Sequence, residues 1–294
     1  MSFRTGNYIS TGANGYAALR KTDAGYVQAT MAKDTWYSFK TVVDLANATL
    51  QVYMNEGRVT DTSGNLMWEP LYYFTKEGSL TATKDGTSSD IAINPKVYAT
   101  AIAGYVFDAD SAADSVTTTA SFSSYDAIAP TAAPTIYFIY GTSNAWQRCN
   151  NEAYMDNLSI KTADGDVDVS MDFTPEITNY PANTDWWGNG TFQNADAKKG
   201  GAKLSDWQVV DAPAESATYG KVIQPKANLG SFCFNDTEDL LPSYVFDVSF
   251  DLYMTQQPSS NIHLLKLWAP YTATDAGADA TLSTVVLNGG QLMI

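Results

Sequence analysis

Over Trp36–Asn55 (WYSFKTVVDLANATLQVYMN), apolar side chains recur at alternate positions. Tyr37, Phe39, Val43 and Leu45 share one face, with Ser38, Lys40 and Asp44 on the other. Leu50, Val52 and Met54 resume the pattern after a short break at Ala46–Ala48. That is the period of half-buried strands joined as a β-hairpin. Tyr244–Met254 (YVFDVSFDLYM) repeats it: Tyr244, Phe246, Val248, Phe250, Leu252 and Met254 point inward, and Asp247, Ser249, Asp251 and Tyr253 outward. In Val167–Phe173, Val167, Val169, Met171 and Phe173 share a face. No amphipathic helix of ordinary length is present. Many short strands separated by turn residues predict an all-β antiparallel sandwich.

Between these runs, Asn14-Gly15, Asp23-Ala24-Gly25 and Asp61–Gly64 supply turns. Gly78–Ser89 reads as a polar loop and Thr135–Tyr140 as a strand; Val97–Phe107 is a strand candidate whose alanines also allow a helix. The 294 residues allow one large or two ordinary domains. Charged residues are 17% of the chain and the net charge is −15. Nucleic acid and anionic membrane both require clustered Lys and Arg, so neither is an expected partner. The acidity favours calcium, which takes carboxylate and carbonyl oxygens. No run approaches the roughly 20 apolar residues of a membrane span. The start, MSFRTGNYIS, lacks the basic segment and apolar core of a signal peptide, so an extracellular location implies a mature or excised chain. Cys149 and Cys233 admit one disulfide or two buried thiols, and their spacing does not decide between them.

Trp-Tyr, Val-Asp-Leu, Asn-x-Thr and Val-Tyr-Met-Asn within 36–55 resemble a hairpin of concanavalin A-like (laminin G/lectin-type) jelly rolls. The resemblance implies a jelly-roll β-sandwich and an extracellular recognition role. YMDNLSI at 154–160 is similar to the closing strand of such folds. Asp172-Phe173, the Trp-rich region after it and Tyr244–Met254 resemble the opening half. The order is then rotated, second half first. A circularly permuted domain spanning 1–294, one period of a tandem array, and subunits completed head to tail by a neighbour's strands all remain open. So does a pair of plain sandwiches, about 1–165 and 166–294.

Catalytic patterns are scarce. His263 is the single histidine, in a strand-like run without a nucleophile motif. The Glu-x-Asp-x-(x)-Glu set of glycosidases on this fold is absent. No enzymatic activity is expected. Asp156 shares strand parity with Tyr154, Leu158 and Ile160, so it sits on an apolar face and needs a partner. The resemblance makes Asp156 a ligand of a structural calcium, with Asp172 and Glu176 as further ligands. The alternative is that Asp156 accepts backbone N–H bonds or pairs with Arg148. Sugars present C–H faces that stack on flat rings. Trp186 and Trp187, joined by Tyr180, Trp146 and Trp207, are candidate platforms, or else rings that seal the sandwich end. The expected role is a non-catalytic extracellular or cell-surface module for carbohydrate binding or adhesion. The alternative is a fibre subunit or repeat that assembles by strand exchange.

Overall fold

The computed structural model describes residues 17–44, 47, 49–74, 78–93, 104–108, 116–121, 135–141, 153–165, 168–171, 192–194, 207–225, 232–234, 245–257, 262–269, 280–288 and 290–293. In chain order the strands are β1 (Leu19–Thr22), β2 (Gly25–Gln28), β3 (Trp36–Asp44), β4 (Thr49–Glu56), β5 (Glu69–Pro70), β6 (Tyr73–Phe74), β7 (Gly78–Lys84), β8 (Thr87–Ile93), β9 (Val106–Phe107), β10 (Val116–Thr117), β11 (Thr119–Ser121), β12 (Thr135–Gly141), β13 (Ala153–Thr162), β14 (Asp168–Met171), β15 (Phe192–Asn194), β16 (Trp207–Asp211), β17 (Lys221–Pro225), β18 (Phe232–Phe234), β19 (Val245–Met254), β20 (Ile262–Ala269), β21 (Ala280–Asn288) and β22 (Gln291–Met293). A 3-10 helix, Ala214–Tyr219, is the one helical element among the described residues. The protein is all-β and its pairings are antiparallel. Among the described residues no helix is long and apolar enough to cross a membrane.

The largest sheet has nine strands and runs β11-β4-β3-β19-β13-β17-β16, with β5 against β4 and β14 against β13. The predicted hairpin forms its middle: Asp44 opposes Thr49 and Tyr37 opposes Glu56. Tyr37, Phe39, Val43, Leu50, Val52 and Met54 are all buried, as the alternation requires. Leu45 lies outside the described residues. β19 enters between β3 and β13, so strands from both sides of residue 165 share one sheet. The six-stranded sheet likewise places β12 between β18 and β20. In β19, Phe246, Val248, Phe250, Leu252 and Met254 are buried as expected, and the Phe39 and Phe250 rings pack 5.6 Å apart.

Gly78–Ser89 is not a loop. It is most of a hairpin in which Leu80 and Ala82 are buried at alternate positions. Asp85 and Gly86 form its turn at φ 51° and 78°. Positive φ at both central residues matches the right-handed twist of the flanking strands. The run reads as polar because its intervening residues are Ser and Thr. Val97–Phe107 contributes only Val106–Phe107 as strand, after Gly104, with 94–103 outside the described residues.

The last strand is tied to the N-terminal segment. Leu292 N donates to Ala29 O at 3.0 Å, and Leu292 O accepts from Ala18 N at 3.1 Å. The buried Gln28 amide reaches Ala18 O, Ala29 O and Leu292 O at 3.0, 3.2 and 3.0 Å.

Candidate functional site

Residues directly opposite one another on neighbouring strands project from the same face. Four such rows cross the face of the nine-stranded sheet opposite Phe39 and Phe250, and the first of them packs in a second hydrophobic cluster with Ala212 and Val222. The first is Trp36, Tyr253 and Tyr154; the second is Asn55, Ser38, Asp251 and Asp156. The third is Tyr53, Lys40, Ser249 and Ser159, and the fourth Gln51, Val42, Asp247, Lys161 and Asp168. The first two rows are closed over. The last two are part-buried or exposed.

The closed half corrects the outward assignment of Asp251 and Tyr253, which are 2% and 1% exposed. Two segments distant in sequence cover them. Tyr219, at the end of the 3-10 helix, stacks on Trp36 at 3.8 Å and 11°, while Tyr253 donates to Glu215 from the same helix. From the loop after β4, Arg58 donates to the Asp251 carboxylate, and its guanidinium lies 5.3 Å from the Tyr219 ring centre. The loop is pinned at its root. Asn55 accepts from Val59 N at 2.8 Å and donates to Val59 O and Met67 O at 2.7 and 2.8 Å. Gly57 and Arg58, at φ 71° and 57°, turn the chain back over the sheet.

Asp156 reaches this face through a β-bulge. The β13–β19 register shifts between Asp156 and Ser159, and Asn157 adopts φ 50°. Asn is among the few residues that take this left-handed conformation readily. The bulge reverses the alternation. Leu158 and Ile160 go to the core, and Asp156 stays on the face of Tyr154 and Asp251, against the parity expected from the sequence. The Asn157 amide donates to Asp251 at 2.7 Å and Asp156 at 3.3 Å. Arg58 supplies the counter-charge here; Arg148 lies outside the described residues. Burial holds the Asp251 carboxyl above its ordinary range, against the opposing pull of Ser38, Arg58 and Asn157. Burial pulls the Arg58 guanidinium down, but Asp251, Tyr219 and Asp156 leave it above its ordinary value. Burial and the Asp251 charge push the Tyr219 phenol up. With both carboxylates only 2% exposed, this half is a cross-brace.

The open half carries two part-buried rings. Lys40 Nζ lies 4.8 Å from the Tyr53 ring centre and 5.0 Å from that of Trp68, which precedes β5. Gln51 accepts from Tyr53 OH at 2.9 Å. Lys161 pairs with the exposed Asp168 at 3.0 Å. Burial raises the Asp247 carboxyl, offset by Lys40 and Lys161.

Of the candidates read from the sequence, Asp156 lies in the cross-brace. Trp207 begins β16, opposite Pro225, in the outermost position of the nine-stranded path. Trp146, Tyr180, Trp186, Trp187, Asp172, Glu176 and Cys149 lie outside the described residues. Among the described residues no three His, Cys, Asp or Glu side chains gather as a metal site. Sequence reasoning missed Tyr53 and Trp68. Tyr53 was within reach, because it falls on the polar parity of β4, where a ring is out of place. No family model, curated protein or solved structure matches this chain.

Proposed function

We propose that the chain is a non-catalytic, extracellular or cell-surface module that binds carbohydrate on the open half of the nine-stranded sheet. One observation carries the reading: the part-buried rings of Tyr53 and Trp68 flank Lys40 on a face otherwise lined by Gln51, Val42, Ser249, Ser159, Asp247, Lys161 and Asp168. Rings supply stacking surface for sugar C–H groups, and the polar rim supplies hydroxyl partners. The paired acids, Asp156 and Asp251, are closed from solvent, which supports binding over hydrolysis. A glycan array tests the reading. A specific hit is expected, weakened about tenfold or more by Trp68→Ala or Tyr53→Ala. Loss of that hit on Trp186→Ala and Trp187→Ala alone would move the site to the Trp-rich segment.

A second reading is a fibre subunit assembled by strand exchange. It rests on Leu292, whose backbone bonds to both Ala18 and Ala29 beside the hydrogen bond those two make with each other, so that a terminal strand joins the end of the N-terminal pair. Native mass measured over a range of concentrations separates monomer from chain-forming species.

A further inference from the structure

We infer that the Lys40 site selects acidic sugars, those bearing a carboxylate, over their neutral counterparts; this rests on the carbohydrate-binding reading. Lys40 is part-buried at the centre of the face, on β3 between β4 and β19. Its ammonium has three N–H donors. Among the described residues it touches only the two rings, with no hydrogen-bond acceptor and no carboxylate at ion-pair distance. The other cations of the sheet face are already committed: Lys161 to Asp168, and Arg58 to Asp251. The Lys40 charge therefore stands ready for an outside acceptor, with ring surface beside it.

Lys40 Nζ lies over one face of each ring, so a pyranose laid on the other face of Trp68 or Tyr53 reaches Nζ with a substituent that passes the ring edge. A carboxylate there gains a charge-assisted hydrogen bond, stronger than any a hydroxyl makes with the same ammonium. Asp247 feels the Lys40 charge from the next row of β19. It limits the gain without occupying the ammonium. The selected group is thus one carboxylate close to Nζ on the stacked residue, and the chain's net charge of −15 keeps added carboxylates further along an oligomer from adding to affinity.

The test is calorimetry on the full chain with oligomers of galacturonate, glucuronate and mannuronate, each paired with its methyl ester. The ester keeps the ring and removes the charge. At least one acid is expected to bind about tenfold tighter than its ester, with the gap narrowing at high salt. Lys40→Met keeps the apolar stem across the rings and should bring acid and ester to parity; Lys40→Arg should retain the preference. Equal binding of acid and ester, lost on Trp68→Ala and unchanged by Lys40→Met, overturns the acid selectivity and leaves carbohydrate binding standing. Failure of every oligomer, charged or neutral, together with a blank glycan array overturns both.

Discussion

Asp156 and Asp251 stand directly opposite each other on β13 and β19, and the single amide of Asn157 donates to both. Two buried carboxylates in register are costly unless something opposes their charge. Here that is Arg58, which arrives from a loop 193 residues away in sequence. The hydrogen bonds and the guanidinium together make the arrangement tolerable. The guanidinium is not visible from the strands that carry the acids.

Arg58→Met should therefore destabilise the fold by removing the cation paired with Asp251. Breaking a fully buried pair costs about 3–5 kcal/mol. The Arg58 side chain is 39% exposed, which brings the expected loss to about 1–3 kcal/mol. Adding Asp251→Asn to Arg58→Met should recover part of it, since the charge left stranded is then gone. Urea unfolding of the two single variants and the double variant measures the coupling. Strict additivity would show that Arg58 and Asp251 do not act as a pair.

Asp247 makes a pH-dependent contribution of defined sign. Burial raises its folded-state carboxyl above the unfolded value, with Lys40 and Lys161 pulling the other way and Asp168 adding to the rise. Between those two values the folded state holds more protons than the unfolded state. Stability from this group is therefore complete below the unfolded value and is lost as pH rises through the folded one. Asp247→Asn removes that slope. Relative to wild type, the variant should gain stability as pH rises from the unfolded value through the raised folded one, and then level off. Thermal melts of both proteins across pH 3–7 would show it, and a difference curve of opposite slope would reject the assignment.

The strands were the most legible part of this chain. β3, β4 and β19 announce themselves because each buries one face against a core, and burial writes a period of two into the residues. The hairpin at Gly78–Ile93 was harder, because its outward residues are Ser and Thr and its inward ones include small Ala82. The Asp85-Gly86 turn was the available signal. The cover over Asp251 and Tyr253 was not legible. It depends on Arg58 and Tyr219 arriving from distant loops, and alternation describes only the strand itself. The bulge was illegible for a related reason: Asn157 reverses parity through one backbone angle, which leaves Asp156 spaced as though it shared a face with Leu158 and Ile160.

That backbone angle gives the next expectation. Asn157 supplies two things, tolerance of φ 50° and an amide shared between the acids. Asn157→Gly keeps the first and loses the second. Asn157→Ala loses both, and the left-handed conformation costs a residue with a Cβ about 1–2 kcal/mol. Stability should fall in the order wild type, Asn157→Gly, Asn157→Ala, with about 1 kcal/mol between the two variants. Equal losses would mean that the bulge relaxes, and that its conformation is not what holds Asp156 on the polar face.

Gln28 governs how the last strand is held. Its Nε2 lies within hydrogen-bond distance of the carbonyls of Ala18, Ala29 and Leu292, while each of those carbonyls also accepts one backbone N–H. Its Oε1 is buried with no partner among the described residues. Gln28→Ala removes the shared donor and relieves that unpaired acceptor at once, so the two effects offset and global stability should change by only about 1 kcal/mol. The local consequence is larger in proportion. Beside its pairing with β21, the strand meets the N-terminal segment through Leu292, by one backbone bond to Ala18 and one to Ala29. Without the side-chain donor across them, opening of this region becomes easier than global unfolding. Hydrogen exchange should accelerate by about tenfold at the amides of Ala18 and Leu292, with the β19 amides of Val248 and Phe250 unchanged. Uniform acceleration at all four positions would show instead that the terminal strand and the nine-stranded sheet open as one cooperative unit.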